Sequence, residues 1–299
     1  MLDSNRAVVS AGETFLARTW GRIPIVVRAV IAGFVVLVAG NFLPQGLIAA
    51  NIRSPAVPWS AAAIAVYLWL YWLYVQGRGW PRSTTTARRR GLRAVPLSPR
   101  VWRWSLAAGG LGIGALTTLT YVLAHLMPLG LDGIPDALMQ LPALTLVVII
   151  TTVSVMAGIV EEAAFRGYMQ GPIERRHGPV VAILVVSVVF ALAHFPGSVA
   201  AAPRMGLIVI ASVGYGILAF LTGSILPGIV LHAAQDILGA TLLWLSTRGS
   251  SVSAPPSSAG ASDPTFWVKC AATLVLGAGA VWAFRKLAAE VRDESRRPA

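Results

Sequence analysis

Two adjacent glutamates, Glu161 and Glu162, close an apolar run, LPALTLVVIITTVSVMAGIV, that carries no charge. Arg166 follows four residues after the second of them. Farther along, FALAH sets Phe190 and His194 four residues apart, and HAAQD does the same for His232 and Asp236. Carboxylates and imidazoles are the groups that take and return protons near neutral pH. The set is therefore an acid–base constellation in which one carboxylate can draw a proton from water, as general-base hydrolysis requires. An ionised group at mid-bilayer costs roughly 2.5–3.5 kcal/mol on insertion scales, so charges in such runs are expected to be paired, inward-facing and functional.

Spacing assigns them different parts. Glu162 and Arg166 stand at i and i+4 with the acid first, the favoured order for a helical ion pair, and mutual neutralisation accounts for both. Glu161 is turned by about 100° from Glu162 on a helix and has no partner on its own face, which leaves it for chemistry. Phe190 taken alone reads as packing. Arg28 lies within a turn of the start of its apolar run and can extend its guanidinium to the interface. His125 and Lys269 fall near the ends of theirs.

The elements that must hold these residues are membrane helices. The chain has 299 residues, 56% hydrophobic and 12% charged, about half the charge of an ordinary soluble domain. Apolar runs predict an all-α polytopic membrane protein with about eight transmembrane helices, near 24–43, 57–75, 104–127, 141–165, 179–195, 205–222, 225–245 and 265–284. This divides the chain into an N-terminal segment 1–23, a membrane domain 24–285 and a basic tail 286–299. No cleavable signal is expected, because acids precede a first run that is long enough to span. Trp and Tyr cluster between Trp59 and Trp80; those near the ends fit an interfacial belt, and the central ones fit packing against other helices. A Ser/Pro/Ala-rich stretch, 250–264, reads as a flexible linker.

The net charge of +12 is concentrated in loops. Arg78, Arg82, Arg88, Arg89, Arg90, Arg93, Arg100 and Arg103 crowd one segment without an acid, and Arg175 and Arg176 mark another turn. The positive-inside rule puts these segments and both termini in the cytoplasm, and the Arg-rich loop reads as a topology signal at anionic lipid headgroups of the plasma (inner) membrane. Nucleic acid is not an expected partner. The single cysteine, Cys270, excludes an internal disulfide and a cysteine metal cluster.

Depth tests whether the clusters can meet. Glu161 and His194 each lie ~21–22 Å of helix from the RRHG turn, so they are level, whereas His232 is only ~13 Å past the turn at Thr222-Gly223-Ser224. The three meet if the hairpin tip IERRHG projects some ~8–9 Å into the cytoplasm, which places the site in the cytoplasmic half of the bilayer.

EEAAFR, FALAH and HAAQD, in this order, resemble the E-E-x-x-x-R, F-x-x-x-H and H-x-x-x-[N/D] motifs of the CAAX protease and bacteriocin-processing (CPBP, or Abi) family of intramembrane proteases. The resemblance covers about residues 140–246. It implies a CAAX-prenyl-endopeptidase-like activity in a helical membrane domain. Glu161 and His194 would activate water, Glu162, Arg166 and Phe190 would support them, and His232 with the residue four later would stabilise the oxyanion. Asp236 departs from an asparagine at that last position, because an ionised carboxylate accepts hydrogen bonds and donates none. Three readings of it stand: a protonated donor, an acceptor that orients His232, or a metal ligand. The family has been described both as metalloprotease and as glutamic protease. The absence of H-E-x-x-H favours chemistry with no required cofactor; a divalent metal such as zinc, with Glu161, His194, His232 and Asp236 as candidate ligands, is the alternative.

The expected partners are the bilayer and a peptide or membrane-protein substrate. Arginine accounts for all basic residues but Lys269 and Lys286, the composition of a GC-rich bacterial genome, where peptide precursors or membrane-protein tails become candidate substrates. Two other classes of function compete: a non-catalytic scaffold or immunity protein of the same fold, and an ion- or proton-coupled transporter. No internal repeat supports the transporter. Rhomboid-type, G-x-G-D, Walker and G-x-S-x-G motifs are also absent. Gly167, Gly171 and Pro172 could bend the helix that carries the glutamates, either opening a path or kinking into the tip.

Overall fold

Long apolar runs leave the backbone one way to satisfy its own polar groups in a bilayer, the helix. The computed structural model describes residues 20–127, 129, 138, 140–195, 197, 202–249 and 263–296, and among them there is no strand. The helices are α1 (Ile25–Arg53), α2 (Trp59–Val75), α3 (Thr85–Leu92), α4 (Pro99–Leu126), α5 (Ala143–Glu161), α6 (Gly171–His177), α7 (Pro179–Ala193), α8 (Ala202–Thr222), α9 (Leu226–Gly249) and α10 (Pro264–Arg296). A π-helical stretch, Glu162–Gln170, joins α5 to α6 without a break. Among the described residues, six helices are long and apolar enough to cross a membrane, counting Ala143–His177 as one. The protein is an all-α, multi-pass membrane protein. The linker read at 250–264 lies outside the described residues up to 262, as do the first nineteen residues and the last three.

Two of the apolar runs make shorter helices. The run near 179–195 gives α7, fifteen residues that stop at Ala193. At ~22 Å it is shorter than the roughly 30 Å of a hydrocarbon core, and its last turn presents His194. The opposite holds for Ala143–His177, whose 35 residues reach ~52 Å, so its polar tip extends beyond such a core. α10 likewise continues past 284 to Arg296, making a helix of most of the basic tail.

The helices pack in two groups, α1 and α2 on α5, and α10 on α4. In the first, α1 and α2 lie against α5, with Ile64, Leu68, Tyr71, Ile149, Met156 and Val160 buried together. Tyr67 and Tyr71 donate to the carbonyls of Ala39 and Val36 on α1, the packing role expected for central tyrosines. Trp80, by contrast, is 84% exposed. In the second, α10 follows α4 along its length. Glu294 accepts from Ser98, Glu290 lies 3.7 Å from Arg100, Trp104 and Trp282 meet edge to face, and Thr273 donates to Thr118. At the far end His125 is 3.5 Å from Asp263. Hydrogen bonds from the Thr265 hydroxyl and backbone hold the Asp263 carboxyl below its ordinary range.

The Arg-rich loop is more than a topology signal. Its middle folds as α3, and Arg88, 6% exposed, donates to the carbonyls of Tyr74, Arg78, Gly79 and Pro81, with its guanidinium over the Tyr74 ring. Arg93 takes a left-handed conformation (φ 55°) that ends α3, pairs with Glu174 at 3.1 Å, and donates to the Ala219 carbonyl. Arg78, Arg82, Arg89, Arg90, Arg100 and Arg103 remain exposed. α3 backs directly onto the π-helical stretch: Tyr168 donates to the Arg88 carbonyl. A Cβ on Gly167 would come within 2.7 Å of the Gly91 carbonyl oxygen. Gly167 therefore serves close approach, and the chain runs through Gly171 and Pro172 as continuous helix.

Candidate active site

Glu161 completes the last α-helical turn of α5, and the next nine residues widen to i→i+5 bonding. Such π turns insert a residue into the helical ladder, re-aim the side chains around them, and recur at functional sites. Eight of the nine residues in EAAFRGYMQ are buried, all but Tyr168. The polar ones must therefore find partners inside the protein.

Glu162 and Arg166 are wholly buried, and Glu162 Oε1 is 3.3 Å from Arg166 Nη1. The same carboxylate oxygen accepts from His232 Nδ1 at 3.0 Å. Arg166 Nη2 donates to Ser212 Oγ at 3.1 Å, and the guanidinium lies 4.6 Å from the Phe190 ring centroid and 5.4 Å from that of Tyr215. Two aromatic faces and a carboxylate thus offset the cost of burying one positive charge. Gly228 permits this packing, because a Cβ there would stand 2.6 Å from Glu162 Oε2.

Glu161 is held differently. Its Oε2 is 3.8 Å from His194 Nε2 and 3.7 Å from His232 Nε2, and it is buried without a hydrogen bond. Both imidazoles are fixed by their other nitrogen. His194 Nδ1 lies 2.8 Å from the Phe190 carbonyl, one of the carbonyls left unpaired where α7 ends. A carbonyl only accepts, so Nδ1 carries a hydrogen, and Nε2 is the nitrogen that faces Glu161. His232 Nδ1 donates to Glu162 by the same logic. The early stop of α7 is thus what delivers His194 to the site. The turn signal was present in Pro196-Gly197, beyond the histidine.

Asp236 sits one turn past His232, with Oδ2 3.8 Å from His232 Nε2 and its side chain 38% exposed. It lines a cavity of about 510 Å3 between α4, α8 and α9. All the residues singled out from the three motifs are therefore brought together: Glu161, Glu162, Arg166, Phe190, His194, His232 and Asp236. His125 and Lys269 are not among them. They meet Asp263 and Tyr121 where α4 packs on α10.

Spacing alone missed three neighbours. Ser212 binds Arg166, Tyr215 stacks on the His232 ring (5.3 Å between centroids, 22°), and Gln235 accepts from the Tyr215 hydroxyl at 2.9 Å. Ser212 and Tyr215 are i, i+3 in the apolar run of α8, a polar face the sequence offered.

Among the described residues, no group of three or more His, Cys, Asp or Glu side chains gathers its donors as a metal ion requires. Glu161, His194, His232 and Asp236, the candidate ligands of the alternative reading, form no such group. The arrangement can hold a water against Glu161 between two imidazoles, with the countercharge of Arg166 one residue-layer behind.

Comparison with known proteins bears on the same stretch. Residues 142–238 match the family model for Type II CAAX prenyl endopeptidase Rce1-like proteins, which covers every motif residue from Glu161 to Asp236. No curated protein and no solved structure matches the chain. Over residues 142–238, then, the multi-pass helical protein is similar to the type II CAAX prenyl endopeptidase Rce1-like family.

Proposed function

We propose that the protein is an intramembrane endopeptidase in which Glu161 activates the attacking water. One observation carries this reading: a buried carboxylate oxygen of Glu161 has no hydrogen bond and faces the Nε2 atoms of His194 and His232 at 3.8 and 3.7 Å. In this reaction Glu161 takes a proton from water as the water oxygen attacks the scissile carbonyl carbon. The carbonyl π electrons move to oxygen, and the resulting oxyanion is stabilised on the His232 side of the site. The C–N bond then breaks, with the proton passing from Glu161, through His194 Nε2, to the leaving amine. As the oxyanion electrons re-form the carbonyl and the amine leaves, one peptide bond and one water become a carboxylic acid and an amine.

Glu162 fixes His232 by its Nδ1, Arg166 supplies the countercharge, Phe190 covers Arg166 and offers its carbonyl to His194, and Asp236 lies 3.8 Å from His232 Nε2 at the edge of the site. The substrate is a peptide or the tail of a membrane protein, of which prenylated CAAX sequences are the class the family name points to. The termini and the exposed arginines face the cytoplasm of the plasma membrane, and no metal takes part.

The test compares membranes carrying the wild-type protein with membranes carrying Glu161→Ala at equal abundance, with new peptide termini catalogued by mass spectrometry. Termini that vanish with the variant and persist under a chelator are the expected result. Identical catalogues would overturn the protease reading in favour of a non-catalytic scaffold, and termini lost on chelation would overturn metal independence.

A further inference from the structure

The oxyanion needs a hydrogen-bond donor near His232, and a carboxamide N–H is one whatever the protonation of the carboxylates beside it. On α9, Gln235 and Asp236 are i+3 and i+4 from His232, so both stand one turn beyond it on the same face. Gln235 also lines the cavity of about 510 Å3 that opens beside Asp236. It forms part of the wall between that cavity and a smaller apolar one of about 280 Å3, lined by Gly112, Gly214, Gly277 and Tyr215.

Its carboxamide is oriented. The Tyr215 hydroxyl donates to Gln235 Oε1 at 2.9 Å, while the Tyr215 ring is held flat against His232 and near Arg166. An amide whose oxygen is tied to Tyr215 turns its two N–H donors away from it. The ring that stacks on His232 therefore also sets the direction in which Gln235 donates.

We infer that Gln235 Nε2 is the hydrogen-bond donor to the oxyanion in this chain, with Tyr215 as the positioning residue that aims it. This inference rests on the protease reading, because it assigns a donor to that reaction's intermediate. The functional group that an asparagine four residues after His232 would supply is thereby moved one residue upstream, on the same face of the same helix.

The probe is a synthetic peptide spanning the strongest Glu161-dependent cleavage site, assayed with the full-length protein in nanodiscs. Gln235→Ala should lower kcat by about 10²–10³-fold, the effect of removing one oxyanion donor, with little change in KM. Tyr215→Phe, which keeps the stacking ring and removes the aiming hydroxyl, should lower kcat by a smaller factor and add nothing in the Gln235→Ala background. The double variant Gln235→Ala/Asp236→Asn should recover activity over Gln235→Ala, because asparagine restores a donor at the neighbouring position. That recovery also excludes simple misfolding as the cause of the loss. Gln235→Ala turning over like the wild type, or a double variant no better than Gln235→Ala, overturns the inference while leaving Glu161-dependent cleavage standing. Failure to find any Glu161-dependent cleavage removes the protease reading and this inference together.

Discussion

Glu161 and Glu162 are neighbours in sequence and opposites in environment. Glu162 has no exposure and three claims on it: Arg166, His232 and the backbone of α9 pressed close at Gly228. Glu161 keeps 16% of its side-chain surface and meets only the Nε2 atoms of two imidazoles, at non-bonded distance. The difference teaches how a bilayer protein can hold a reactive carboxylate. A buried charge is tolerable when a paired layer behind it supplies the countercharge, and that layer also fixes one of the histidines facing the reactive group. One carboxylate stabilises and orients; the other is left underused by the fold.

Three substitutions test how sharp that division is. Arg166→Met leaves Glu162 buried without its cation, and breaking a buried pair costs about 3–5 kcal/mol. Thermal unfolding in detergent should therefore show a large fall in stability along with loss of cleavage, and a stable, active variant would break the comparison. Gly228→Ala drives a methyl group towards Glu162 Oε2, and overpacking of this kind costs about 1–3 kcal/mol. Its cost should fall mainly on kcat, because displacing Glu162 also displaces His232. Arg88→Ala lies on the α3 side, away from the chemistry. It removes the donors to four carbonyls at the end of α2 and in the loop, so Tm should fall while kcat in the folded protein stays within about threefold, less than 1 kcal/mol of barrier.

Much of this site could be read from the sequence because charges are rare in apolar helices. The EEAAFR, FALAH and HAAQD clusters stood out by their cost, and the expected projection of the IERRHG tip agrees with a helix of 35 residues. What escaped has physical reasons. The switch to π bonding at Glu162 leaves no trace in an apolar pattern, since i→i+4 and i→i+5 ladders bury similar residues. Ser212, Tyr215 and Gln235 are ordinary residues until α8 and α9 bring them against Arg166 and His232. Arg88 and Arg93 were counted as charge, yet their donors satisfy loop and helix-end carbonyls, which no count of arginines distinguishes from headgroup contact. The apolar run through Ala193 concealed a helix end that the following Pro-Gly announces.

The most direct measurement sets Glu161→Gln beside Glu162→Gln, recording Tm in detergent and Glu161-dependent cleavage on the same preparations. The account predicts that Glu161→Gln abolishes cleavage with Tm unchanged or raised, whereas Glu162→Gln lowers Tm markedly because Arg166 loses its carboxylate. Cleavage that survives Glu161→Gln, or a Tm that falls equally in both variants, would contradict the division of labour between the two glutamates.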